Sequence, residues 1–119
     1  MSSTSRIDLA KRLRTFAEER DWQQFHSPKN LTMALSVEVA ELMEHFQWMD
    51  GEASREPSEQ TMEKIREEVA DVYIYLIRLA DELNIGLEEA ALKKIDQNAK
   101  KYPADMVRGS SKKYTEYES

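Results

Sequence analysis

A chain of 119 residues with 17 basic and 23 acidic side chains, net charge −6, has room for one domain. Its charge has the wrong sign for a nucleic-acid or anionic-membrane surface. It contains no cysteine, which excludes a disulfide framework and thiolate chemistry and accords with a reducing, cytoplasmic setting. The opening residues, Met1-Ser2-Ser3-Thr4-Ser5-Arg6, lack the apolar core of a signal peptide, and no apolar run reaches the roughly 18 residues of a membrane span. The three glycines and three prolines fall between helical patterns, so an all-α chain is expected.

Ser5-Arg6-Ile7-Asp8 resembles an N-cap box, and Ile7, Leu9, Ala10, Leu13, Phe16 and Ala17 follow at three- and four-residue steps. A first helix is therefore expected to about Arg20. Residues 21–30 read as a loop, because Pro28 disfavours helical geometry at Ser27. Trp22 and Phe25 are large for a loop and should pack on something. Asn30 is the expected cap of a second helix that runs unbroken through Trp48, with an apolar stripe of Leu31, Leu35, Val39, Leu42, Phe46 and Met49. Glu38 and Glu41 lie on one flank of that stripe, roughly 60° and 120° from its centre, with Ala34, His45 and Trp48. Glu44 points away.

Residues 50–57 are polar and read as a loop. Ser58 should cap a third helix to about Leu83, with a core stripe of Ile65, Val69, Val72, Leu76, Leu79 and Leu83. Glu68, Asp71 and Tyr75 share one flank. A second apolar strip, Ala70, Tyr73, Ile74 and Ile77, is more than one small subunit can cover, which places this helix at a subunit interface. Gly86 marks a break, and a fourth helix runs from about Leu87 to Lys101, stopped by Pro103. Residues 106–119 form a polar tail that orders only on a partner chain or ligand. The whole chain, 1–119, is expected to be one domain.

Two acid pairs at three-residue spacing, Glu38 with Glu41 and Glu68 with Asp71, would repel one another on facing helices unless a cation lay between them. All-oxygen ligation suits a hard ion, Mg²⁺ or Mn²⁺. In a chain with 23 acids the same spacing also fits solvated helix faces. A di-iron centre would need Glu-x-x-His, and the two histidines, His26 and His45, do not supply it. Lys94, Asn98 and Lys101 line one face of the fourth helix and suit phosphate, or simply complement the helix dipole. Trp22 and Trp48 could stack on a base, with His26 or Asn30 reading its edge; each Trp alone is more often a core residue than a base platform.

Several segments together resemble a known family. They are Ala17-Glu18-Glu19-Arg20-Asp21-Trp22, Phe25-His26-Ser27-Pro28-Lys29-Asn30-Leu31, Glu38-Val39-Ala40-Glu41-Leu42, Phe46-Gln47-Trp48, and the run from Glu67 to Leu76. Tyr102-Pro103-Ala104 and the run from Ser110 to Glu116 continue the match. The chain looks like the all-α nucleoside triphosphate pyrophosphatases of the MazG-like superfamily, and within them is most similar to the dCTP pyrophosphatases. The resemblance implies a four-helix bundle-like subunit whose helices pair between subunits, as a dimer or a dimer of dimers. It implies that Glu38, Glu41, Glu68 and Asp71 hold Mg²⁺, that Trp22, Trp48 and Tyr75 help form the base and sugar pocket, and that Lys94, Asn98 and Lys101 bind phosphates. Lys101 stands where arginine is usual, which gives up bidentate phosphate geometry.

The expected activity is Mg²⁺-dependent cleavage of dCTP, or a modified dCTP, between the α and β phosphates, clearing the nucleotide pool. Water is the nucleophile and Glu38 or Glu41 the carboxylate that orients or deprotonates it. A pyrophosphatase for another base, such as dUTP or an oxidised purine, and a non-catalytic nucleotide-binding helical module are the alternatives.

Overall fold

The computed structural model describes residues 6–110, and every regular element among them is helical. The chain divides after Asn84 into two compact units. The first holds α1 (Arg6–Glu19), a single 3₁₀ turn (Gln23–Phe25), α2 (Pro28–Glu44), α3 (Gly51–Arg55) and α4 (Glu59–Glu82). The second holds α5 (Leu87–Lys101) and α6 (Ala104–Val107). The expected cap at Ser5 lies outside the described residues.

The end of α1 explains what happens to the aromatic loop. Asp21 adopts a left-handed backbone, φ +54°. Its N–H donates to the Glu18 carbonyl at 3.1 Å and that of Trp22 to Ala17 at 2.9 Å, which satisfies the last carbonyls of the helix. This reversal folds Trp22 back edge-on to Phe16, ring centres 5.9 Å apart, while the Arg20 guanidinium lies 3.6 Å over the Phe16 ring. Phe25 remains exposed.

Three local expectations are corrected. Ser27, not Asn30, caps α2: its backbone is extended and its hydroxyl accepts from the Asn30 N–H at 3.1 Å. The reason is Pro28, whose fixed φ and missing N–H suit the first helical position and so place the cap at Ser27, three residues earlier than expected. The Asn30 side chain instead donates to the Phe25 carbonyl at 3.0 Å, tying the loop to the helix. Secondly, α2 stops at Glu44 rather than running through Trp48. The N–H groups of His45, Phe46 and Met49 donate to carbonyls three residues back, so the chain tightens into turns over residues with weaker helix propensity. Thirdly, the expected loop at 50–57 contains α3, nucleated by the Asp50 carboxylate accepting from the Ala53 N–H at 2.7 Å.

Ser58 caps α4 as expected, its hydroxyl accepting from the Thr61 N–H at 3.2 Å. At the other end Asn84 takes the left-handed conformation, φ +55°. α4 packs along α2 and, less extensively, against α1. Among the described residues the buried apolar ones are Ala17, Leu31, Ile65, Ile77 and Ala80. The predicted core stripe of this helix is thus only partly right: Val69, Leu76 and Leu83 are exposed. Glu68 is turned inward instead, with one carboxylate oxygen buried, and a residue one position on stands about 100° round the helix.

In the second unit α5 begins at Gly86, whose carbonyl accepts from Ala90 at 2.9 Å. Glu88 and Glu89 sit at its positive end and Lys100 and Lys101 at its negative end. Pro103 separates it from α6, which takes in Met106, so the irregular tail starts later than expected. Residues 111–119, with Ser111, Lys112, Lys113 and Tyr114, lie outside the described residues.

Candidate active site

α2 and α4 bring three of the four predicted acids together. One carboxylate oxygen each from Glu38, Glu41 and Glu68 falls within 4.8 Å of the other two. Glu38 and Glu41 are one turn apart on α2, and the packing of α4 along α2 carries Glu68 to them. Oε2 of Glu38 and Oε2 of Glu68 are buried with no hydrogen-bond donor. Such atoms are costly unless something positive or protic meets them. Asp71 stands on the exposed side of α4, outside the trio, though its charge reaches Glu38.

The electrostatics follow from this crowding. Burial pushes the Glu38 carboxyl up to about 7, with Glu41 and then Asp71 and Glu68 acting in the same direction. Burial and Glu41 also raise the Glu68 carboxyl, while hydrogen bonding with Glu38 and, less, the His45 charge oppose the shift. His45, at the C-terminal end of α2, is therefore within electrostatic reach of the acids. An ion bound through three carboxylates would relieve both the repulsion and the orphaned oxygens. The trio would hold a hard divalent cation through carboxylate oxygens alone.

The other predicted residues are distributed more widely. Trp22 and His26 are neighbours, ring centres 6.3 Å apart and tilted at 56°. Asn30 is spent partly on holding the Phe25 carbonyl. Tyr75 is half-buried on α4. Trp48, in the turns after α2, is 90% exposed. Lys94, Asn98 and Lys101 lie on α5, in the second unit, and their side chains are exposed.

One group of residues escapes the sequence reading altogether. Arg78, 2% exposed, is buried near the end of α4, paired with Asp81 at 3.0 Å and Glu82 at 2.9 Å. Asp81 in turn receives Arg14 of α1 through two bonds, Nε to Oδ2 at 2.9 Å and Nη2 to Oδ1 at 2.6 Å. The signal was the spacing: an arginine followed at three and four residues by acids, within an apolar run.

Comparisons with known proteins bear on the family and the fold. The MazG-like family pattern matches residues 33–117. The chain is 47% identical over 111 residues to human dCTP pyrophosphatase 1, covering 92% of this chain and 65% of that protein. It is 42% identical over 118 residues to the bovine dCTP pyrophosphatase 1, covering 97% of this chain and 70% of the relative. The chain thus spans about two thirds of the length of the curated relatives it matches. Among solved structures, a pyrophosphatase from Archaeoglobus fulgidus superposes with a TM-score of 0.78 at 39% identity, covering 87% of this chain and 97% of that one. The all-α fold is shared with that enzyme, and the chain belongs to the MazG-like family.

Proposed function

We propose that the protein is a Mg²⁺-dependent nucleoside triphosphate pyrophosphohydrolase that cleaves dCTP, or a modified dCTP, to dCMP and pyrophosphate. The observation that carries this reading is the trio Glu38, Glu41 and Glu68 with its two buried, donorless oxygens. The names of the relatives supply the substrate: two are dCTP pyrophosphatases and the solved structure is a pyrophosphatase.

The donor set is all oxygen, which fits Mg²⁺ and admits Mn²⁺. Glu38, Glu41 and Glu68 would hold it, with Asp71 completing the set. When bound, the ion supplies charge neutralisation at the scissile phosphate. Glu38 or Glu41 orients the attacking water and takes its proton on a carboxylate oxygen. Lys94, Asn98 and Lys101 contact the phosphates, and their cations favour the charge that develops on the leaving pyrophosphate. Trp22, Trp48 and Tyr75 enclose base and sugar, with His26 and Asn30 at the base edge.

The active unit in this reading is a homo-oligomer, a dimer or a dimer of dimers; the exposure of Val69, Tyr73 and Leu76 on α4 among the described residues supports it. The setting is the cytoplasm, where the substrate pool lies; no helix among the described residues is long and apolar enough to cross a membrane. The test is product analysis across a panel of deoxynucleotides with Mg²⁺. Turnover led by dCTP supports the reading; turnover led by dUTP or an oxidised purine moves the base preference.

A further inference from the structure

Arg78 is buried beside His26, and three of its five N–H donors face acceptors. Nη1 donates to Asp81 Oδ2 at 3.0 Å, Nη2 to Glu82 Oε2 at 2.9 Å, and Nε points at His26 Nδ1 at 3.5 Å. Asp81 is locked from its other side by Arg14 of α1, so the guanidinium is held by two elements. A guanidinium carries five N–H donors and no lone pair. The nitrogen facing it must therefore be the acceptor of the imidazole, and the single proton of the neutral ring must be on Nε2.

Surroundings favour the neutral ring. Burial and the Arg78 charge both hold His26 below its ordinary value, and only Glu82 opposes them. Protonation at Nδ1 would set N–H against N–H and cation against cation. Nε2 has no partner among the described residues and is not one of the buried orphan atoms, so it opens to solvent beside Trp22.

We propose that Arg78 is a positioning residue that fixes His26 as the Nε2–H tautomer, so that the Trp22–His26 surface presents a donor and selects ligands with an acceptor edge. The chemical class is a base with a carbonyl oxygen or an unprotonated ring nitrogen on the face it offers, as a cytosine has. The ligand assignment rests on the proposed nucleotide function; the tautomer does not.

The experiment separates the two. Long-range ¹H–¹⁵N spectra of the histidine-labelled, nucleotide-free protein read the protonated nitrogen directly, and His26→Gln assigns the resonance against His45. The expected result is a pyrrole-type Nε2 and a pyridine-type Nδ1 at pH 7. Arg78→Met should give mixed tautomers and a raised His26 titration midpoint. Arg78→Lys, which keeps a cation between Asp81 and Glu82, serves if the Met variant does not fold, and should show a partial loss. A proton on Nδ1 in the parent chain, or an unchanged pattern in the folded variants, overturns the proposal.

With dCTP, Arg78→Lys should raise KM in proportion to the Nε2–H fraction it loses, roughly twofold for an even tautomer mixture, and leave kcat nearly unchanged. His26→Gln, whose amide nitrogen reaches the Nε2 position, should retain more affinity than His26→Asn, whose amide reaches only the Nδ1 position. Equal loss in both, or a fall in kcat alone, contradicts donor selection. A protein with the Nε2–H ring that cleaves no nucleotide would sink the activity and leave the role of Arg78 standing.

Discussion

Glu38 carries the conflict between stability and function in a single side chain. Its carboxyl is raised to about 7 from 4.5, chiefly by burial. The folded chain therefore binds more protons than the unfolded chain between those values, and stability falls as pH rises through that window. Metal-free protein should melt at a lower temperature at pH 8 than at pH 5, and Glu38→Gln should flatten the difference by replacing a buried charge with a neutral isostere. The same substitution should lower Mg²⁺-dependent turnover at least a hundredfold, on the order of losing a key charged group in a site. A Glu38→Gln variant that melts like the parent at both pH values would contradict the electrostatics; one with full activity would contradict the site. Because the proton must leave before a cation binds, Mg²⁺ affinity should climb over the same pH window, measurable by calorimetry.

Among the helices, the joint between α1 and α4 depends on Asp81. Its carboxyl is held below the ordinary value by the hydrogen bonds from Arg14, so this contribution is present above about pH 4 and is lost as pH falls through the depressed value. Asp81→Asn leaves the buried Arg78 with one charged partner fewer and should cost roughly 3 kcal/mol in denaturant melts. Arg14→Gln, at an exposed position, should cost much less. A reversed order would mean that the network is held from the surface inward. Ser27→Ala should cost about 1 kcal/mol through the lost cap. The helices themselves are legible in the sequence where periodicity and caps coincide, as for α4 between Ser58 and Asn84 and for α5 after Gly86. They are misread where a turn is made without glycine or proline. His45-Phe46-Gln47-Trp48 holds no glycine or proline and only a weaker helix propensity marks the stop, yet the backbone tightens there. Asp21 reverses the chain in a conformation usually left to glycine. The acids Glu38, Glu41 and Glu68 can be read from spacing beside an apolar stripe, because helical geometry fixes flank position. The Arg78 network is harder to read, since a charged residue in an apolar run gives no sign of being buried until its partners from α1 and the loop are in place.

Among the described residues, five buried apolar residues are a thin core beside the exposed Val69, Tyr73 and Leu76 of α4 and the exposed Leu92 and Ile95 of α5. Self-association would cover such surfaces, and on the proposed assembly sedimentation should show a dimer or larger species. Tyr73→Glu should shift the distribution toward smaller species and lower activity with it. A parent chain that sediments as a monomer would contradict the assembly. The central claim is where the triphosphate breaks. Incubation of the protein with dCTP and Mg²⁺, followed by phosphorus NMR of the products, decides it. Cleavage between the α and β phosphates gives dCMP and pyrophosphate in equal amounts with no orthophosphate; dCDP and orthophosphate, or no product at all, would contradict it.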